Sequence, residues 1–292
     1  MRPVKDLFFE EYWNIAFRDY TEDNSVVNAP REKTKFNLLK ANKRYWYADP
    51  FLFEKDGETY LFVEVFDNIT EVGFIGYSQY VNGEFTEPKE ALKESFHLSY
   101  PCVFEKDGKI FMMPETHEDN CIQLYEAVDF PAQWKKSSVI VNNINAVDTV
   151  IENGYLIPSV ICPRNDMSVD LGVYGADGNE MPYSPVYKSR LDKRGAGRIF
   201  SHKGMRLRPA QGCENNVYGG KVIFNMIKQC DSNGYAEEVF TEIVPENIDV
   251  PQSGAPCGIH TYARTDKIEI VDVKFKRFNI KRLYWIAKKK LG

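Results

Sequence analysis

Four carboxylates, Asp49, Glu64, Glu115 and Asp148, recur at matching places in three related stretches of this 292-residue chain. Carboxylates gathered in one place split their pKa values, so that one keeps a proton while a neighbour stays ionised. Making or cleaving a glycosidic bond needs such a pair. The residues beside them suit a sugar, which has apolar faces and polar edges. "RYWYADP" brings Trp46 and Tyr47 to Asp49, "HLSYP" brings His97, Ser99 and Tyr100, and "PETHED" brings His117. Arg208 and Gln211 in "RPAQ" and His260 in "GIHTY" are the expected non-carboxylate contributors. An arginine can hold a phosphate, so a sugar-nucleotide donor fits Arg208. The competing reading makes the aromatics packing residues, Arg208 a surface residue, and the carboxylates strand-end groups bonded to backbone or arginine. No ligand spacing demands a metal, and no cofactor is assigned, although the carboxylates leave a divalent ion open.

The elements that position these groups are hairpins. "DPFLFEKDGETYLFVE" and "YPCVFEKDGKIFMMPE" share FEKDG at an offset of 51 residues, and "VDTVIENGYLIPSV" is a shorter third version. Asp56-Gly57, Asp107-Gly108 and Asn153-Gly154 lie between aromatic and β-branched runs. That pattern marks two-residue turns with positive φ at both centres. Folding each stretch about its turn sets Asp49 opposite Glu64, Tyr100 opposite Glu115 and Asp148 opposite Ser159, with facing Cβ atoms about 4.5–5.5 Å apart. Like charges facing each other destabilise a strand pair, so Asp49 against Glu64 asks for a functional reason.

Repeats of this period, with no helical periodicity between them, predict an all-β protein, a five-bladed β-propeller. Residues 206–227 and 258–275 read as less regular fourth and fifth units. Residues 163–190 supply outer strands, and 18–44 an outer strand or a ring-closing piece. The expected domain is residues 1–274. Residues 275–292 form a basic tail, with 278–291 an amphipathic helix. From Lys274 onward there are eight Lys or Arg and no acid, which suits an anionic membrane surface or a lipid-linked glycan. The same helix packed on the propeller is the plainer reading.

The net charge of −5 gives no reason to expect nucleic-acid binding. The opening residues lack a secretory pattern, and no window has the roughly 18 apolar residues of a membrane span. The six cysteines form no CxxC pair and read as reduced thiols. A cytoplasmic protein, peripheral on the inner face of the membrane, is therefore expected.

"YADPFLFEKDGETYLFVE" resembles the first blade of the five-bladed arabinanase, levansucrase and invertase-type glycosidases. The resemblance implies a base or nucleophile at Asp49 and a tuning aspartate at Asp148. "WNIAF", "YADPFLFEKDG", "LSYPCVFEKDGKIFMMPET", "DFPAQW", "VDTVIENG", "RPAQGC" and "GIHTY", in that order, resemble the N-terminal domain of glucosamine inositolphosphorylceramide transferase and its bacterial relatives. This second likeness covers nearly the whole chain and implies a propeller associated with glycan or glycolipid synthesis. Tyr100-Pro101 stands where the glycosidase pattern would repeat Asp-Pro, and the glycosidases' blade-four glutamate has no match. Three functions follow. The first is a glycosyltransferase, or a domain working with one, in cell-surface glycan or glycolipid biosynthesis. The second is a glycoside hydrolase with Asp49 as base or nucleophile and Glu115 as acid. The third is a non-catalytic sugar-binding or scaffolding propeller.

Overall fold

Positive φ at both centres of Asp56-Gly57, Asp107-Gly108 and Asn153-Gly154 closes three tight hairpins in the computed structural model. The structure describes residues 9–278 apart from 29–30, 164, 215–216 and 252. Asn82-Gly83 makes a fourth such turn, with φ of 51° and 87°, and Lys203-Gly204 a fifth, with φ of 47° and 77°. Lysine is an unusual residue for that position, and this hairpin escapes a reading keyed to Asp-Gly or Asn-Gly.

These turns organise five antiparallel sheets of four or five strands. Sheet I contains Tyr45–Lys55, Glu58–Asp67, Val72–Val81, Glu84–Phe85 and Lys89–Leu92. Sheet II contains Ser99–Lys106, Lys109–Glu115, Cys121–Asp129 and Gln133–Asn142. Sheet III runs Ala146–Glu152, Tyr155–Cys162, Asn165–Leu171 and Tyr187–Arg190. In sheet IV, Arg194–Gly195 and Phe200–His202 both pair with Met205–Gly212, followed by Lys221–Asp231 and Gly234–Ile243. Sheet V is assembled from both ends of the chain. Tyr262–Arg264 and Ile268–Phe278 are joined by Phe9–Asp19, whose eleven residues pair with the last strand, and then by Asn37–Leu38. Residues 18–44 therefore contribute an outer strand. A two-stranded parallel ladder, Thr34–Lys35 with Ile248–Asp249, ties the outer parts of this region together. Among the described residues helix is confined to single 3₁₀ turns.

The first strands of the sheets touch in succession. Tyr45–Lys55 lies against Ser99–Lys106, which lies against Ala146–Glu152, which lies against Arg194–Gly195. Tyr262 donates its N–H to Ala196 O at 2.8 Å, and Tyr262–Arg264 returns to Tyr45–Lys55. The apolar core is distributed between neighbouring sheets: one cluster spans sheets I, II and III and reaches IV, a second lies between IV and V, and a third between V and I.

The register departs from the sequence reading at the place that matters for chemistry. Ala48, not Asp49, is opposite Glu64; Ser99, not Tyr100, is opposite Glu115; Val147, not Asp148, is opposite Ser159. In each first strand the pairing slips by one residue at a bulge. Asp49, Tyr100 and Asp148 sit on these bulges with φ of 49°, 48° and 50°. Left-handed backbone costs an L-residue roughly 1–2 kcal/mol. Bulges of this kind re-aim a side chain. The same strain at three equivalent positions is a repeated device, not an accident of one strand.

The last strand continues to Phe278, so residues 275–278, placed above in the basic tail, are strand. The remainder of the expected helix, residues 279–291, and the final residue lie outside the described residues.

Candidate functional site

The four carboxylates come to one cavity. Asp49, Glu64, Glu115 and Asp148 line a space of about 330 Å³ at the end of the sheets remote from the tight turns, with Trp46, His117 and His260. His97, Ser99, Trp13, Arg194, Tyr218 and Glu118 complete much of its wall. The bulges account for the convergence of two of the carboxylates. The glutamates arrive differently, seven residues past their turns on the second strands of sheets I and II.

Asp49 is the most heavily bonded of the four. Thr261 Oγ1 donates to its Oδ1 at 2.8 Å, the Tyr100 N–H donates to Oδ2 at 3.3 Å, and His260 Nε2 is 3.4 Å from Oδ1. Burial pushes its carboxyl up to about 8, against the pull of His260 and with help from Glu64 and Asp148. On the other side of His260, Nδ1 is 2.6 Å from Asp272 Oδ2. Asp272 also accepts the backbone N–H groups of His260, Thr261 and Asp49. Burial lowers the affinity of His260 for a proton, but Asp272 and Asp49 outweigh it and raise its pKa to about 9. Its ring lies 4.1 Å from that of Trp13, centroid to centroid. One ligand atom from each of Asp49, His260 and Asp272 falls within 4.8 Å of the others, so these residues could hold a cation. The hydrogen bonds among them also account for the grouping.

A second charged chain crosses the cavity. Asp148 Oδ2 is 2.5 Å from Arg194 Nε. Burial raises the Asp148 carboxyl to about 6 despite Arg194, with Glu115 adding to the rise. Burial also acts on Glu115, but its bond from His117 Nδ1, 2.7 Å from Oε1, and the nearby Arg194 outweigh it and hold its carboxyl below the ordinary range. Glu64 is 3.3 Å from His97 Nε2. Burial opposes a charge on His97 and Glu64 favours one. The Gly73 N–H donates to His97 Nδ1 at 3.0 Å. That bond fixes a single ring proton on Nε2, toward Glu64, and a second proton would have to displace Gly73.

The other expected contacts lie elsewhere. Tyr47 is buried in the apolar cluster between sheets V and I. Tyr100 is also fully buried; its hydroxyl donates to Gly197 O at 3.2 Å and accepts the Gly197 N–H at 2.7 Å. The phenol therefore bridges sheet II to sheet IV instead of facing ligand. Arg208 is not at the surface and not in the cavity. It makes two bonds of 2.8 Å to Glu237, which Lys193 also meets at 3.0 Å. Gln211 Nε2 donates to Gly195 O at 2.9 Å. Both misplacements have one cause: "RLRPAQG" is the second strand of its sheet, and the first is residues 194–202.

Trp13, Arg194, Tyr218 and Asp272 were not singled out from sequence. Trp13 and Arg194 lie outside the repeated units, and Tyr218 and Asp272 lie in the two less regular ones. Asp272, flanked by Val271 and Val273 in a β-branched run, carried the one available signal.

This all-β, propeller-like architecture is shared with a solved glycoside hydrolase: the TM-score is 0.54 at 9% identity, over 83% of this chain and 91% of that one. At that identity the likeness concerns fold alone. Residues 37–257 match the model of the family described as glucosamine inositolphosphorylceramide transferase 1, N-terminal, and the chain belongs to that family. It is 33% identical over 213 residues to glucosamine inositolphosphorylceramide transferase 1 of Arabidopsis thaliana, and 29% identical over 219 residues to that of Oryza sativa subsp. japonica. The matches cover 65% and 70% of this chain but only 26% and 28% of those relatives.

Proposed function

We propose that this chain is a five-bladed propeller that binds a glycosyl group in its carboxylate cavity and takes part in glycosyl transfer during glycolipid or cell-surface glycan synthesis. The five sheets whose first strands touch in turn support the blade count. The family's transferase relatives support transfer as the direction of the chemistry.

The observation that carries the reading is four carboxylates facing one space, each held by a different partner: Asp49 by Thr261 and His260, Glu64 by His97, Glu115 by His117 and Asp148 by Arg194. Burial raises the Asp49 carboxyl, which supports it as the acid. Glu115, held low by His117 and Arg194, is ionised and acts as base or as a counter-charge to a developing oxocarbenium ion. These roles are the reverse of those expected for a hydrolase from sequence. His260 and Thr261 orient Asp49, and Arg194 orients Asp148. Trp13, Trp46 and Tyr218 provide ring surface for the sugar. Arg194 takes over the anion-binding role first given to Arg208. Hydrolysis is the second reading, favoured by the fold shared with a glycoside hydrolase.

Thermal-shift titrations with sugar nucleotides and with free oligosaccharides, on the parent chain and on Asp49→Asn, test this. Stabilisation by a sugar nucleotide that is weakened in Asp49→Asn is the expected result. Stabilisation by free sugars alone, with turnover, transfers the assignment to hydrolysis. No shift with either panel overturns the binding role of the cavity.

A further inference from the structure

Eight large apolar side chains are exposed among the described residues, and four of them gather at the cavity end of the sheets. Strand direction places each one. Glu58–Asp67 runs from its tight turn past Glu64 and delivers Ile69, 72% exposed, in the loop beyond. Met205–Gly212 leads to the loop holding Val217, 49% exposed, next to the cavity residue Tyr218. Ile268–Phe278 passes Asp272 and ends at Phe278, 63% exposed, paired with Phe9 at 40%. Of the other four, Val81 and Val128 stand at the opposite ends of their sheets, and Val239 and Phe240 lie within an outer strand.

Phe9 and Phe278 also form the tip of an arm. Trp13 lines the cavity and pairs with Lys274; the two strands continue for four further pairs, from Tyr12 with Phe275 to Phe9 with Phe278. At about 3.3 Å per residue the arm reaches roughly 13 Å beyond the level of Trp13. Stacked rings stiffen it, Tyr12 on Phe275 at 5.6 Å and Phe9 edge-on to Phe278 at 5.9 Å. Lys274 and Lys276 meet Glu11, and Arg277 meets Glu10, so the arm itself carries little net charge. The sequence joined to its tip is different: residues 279–292 contain five Lys or Arg and no acid, with Leu283, Tyr284, Trp285 and Ile286 among them.

We propose that this end of the protein docks on an anionic membrane surface, with Phe9, Ile69, Val217 and Phe278 entering the headgroup layer and the cavity mouth turned toward the lipid. Scattered apolar side chains on one end, next to a basic and aromatic segment, match the chemistry of interfacial binding: apolar insertion combined with attraction to anionic headgroups. In that orientation a sugar acceptor carried on a lipid reaches the carboxylates without leaving the membrane. The docking itself rests on where the apolar residues lie and is independent of the acid and base assignments.

Vesicle co-sedimentation of the full chain tests it, using phosphatidylcholine vesicles with and without phosphatidylserine. The parent is expected to sediment with the phosphatidylserine vesicles. Phe9→Ser, Ile69→Ser and Phe278→Ser combined are expected to weaken that binding about tenfold or more, since each removes an apolar side chain from the layer. Val81→Ser with Val128→Ser, at the opposite end, and Asp49→Asn are expected to bind as the parent does, with folding of every variant checked by thermal melting. Three outcomes overturn the proposal. They are no sedimentation of the parent, as when a protein partner covers this face instead, equal loss in the opposite-end variant, and unchanged binding by the triple variant. If deletion of 279–292 abolishes binding while the triple substitution leaves it intact, the tail acts alone and the arm and loops have no role.

Discussion

His260 Nε2 stands 3.4 Å from Asp49 Oδ1, in a place where both side chains are almost wholly buried. The folded protein holds protons on both groups more tightly than ordinary side chains do: Asp49 rises from 3.8 to about 8, and His260 from 6.5 to about 9. A pKa raised by folding contributes stability that is complete below the unfolded value and lost as pH rises through the folded one. The melting temperature is therefore expected to fall from pH 3.8 to about 8 through Asp49 and from pH 6.5 to about 9 through His260, most steeply between 6.5 and about 8, where both groups contribute. Asp49→Asn is expected to flatten the part below about 8. Melting curves measured at half-unit pH intervals check this; a variant that keeps the parent's full slope removes Asp49 as its source.

Tyr100→Phe separates structure from recognition. Removing the hydroxyl leaves the buried Gly197 N–H without its 2.7 Å acceptor, at a cost of about 1–3 kcal/mol. Gly197 itself has no latitude: its φ is 122°, and an added Cβ would stand 2.0 Å from Tyr262 O. Denaturant unfolding is expected to show both Tyr100→Phe and Gly197→Ala destabilised, Gly197→Ala more severely. Sugar affinity of folded Tyr100→Phe should match the parent.

Buried Arg208 and partly buried Arg194 should divide stability from function in the same way. Arg208→Ala strands Glu237, a carboxylate that burial would raise but that Arg208 and Lys193 hold down at about 2. Breaking such a buried pair costs about 3–5 kcal/mol. Because the pKa of Glu237 is lowered by folding, its contribution is present above pH 4.5 and is lost as pH falls toward 2. Arg208→Ala is therefore expected to lose stability at neutral pH and to lose part of the acid-limb slope. Arg194→Met instead removes the counter-ion of Asp148, whose carboxyl should then rise above its present value of about 6. The expected signature is a shifted pH profile of sugar binding, read by calorimetry.

The contrast between those arginines shows what the sequence could carry. The hairpins were legible because Asp-Gly and Asn-Gly report a local backbone requirement. The pole at which carboxylates meet followed from counting residues back from those turns. The one-residue slip at Asp49, Tyr100 and Asp148 was not legible, because without a following glycine an aspartate or tyrosine inside a strand run does not announce positive φ. The Lys203-Gly204 hairpin was missed because lysine is unusual in such a turn, and that moved Arg208 from its place in a second strand to an imagined cavity edge. Arg194, Trp13 and Tyr218 reach the cavity, and Asp272 backs its His260, through contacts between sheets that only the assembled fold supplies.

Trp46 and Tyr47, adjacent in sequence, point to opposite faces of their strand and should respond oppositely to truncation. Trp46 lies on the cavity wall, its ring stacked on Phe66 at 4.4 Å and 14°. That support holds an indole face ready for a sugar ring without ordering it on binding. Trp46→Ala is expected to weaken sugar binding roughly tenfold, the effect of losing a preformed apolar contact of about 1.4 kcal/mol, while stability changes little. Tyr47, 1% exposed, fills the core between sheets V and I. Tyr47→Ala is expected to cost about 3–5 kcal/mol through the cavity it leaves. Parallel calorimetry and denaturant unfolding on the two variants decide the matter: a Trp46→Ala protein that unfolds early but binds normally would make Trp46 a packing residue and remove the apolar wall from the site.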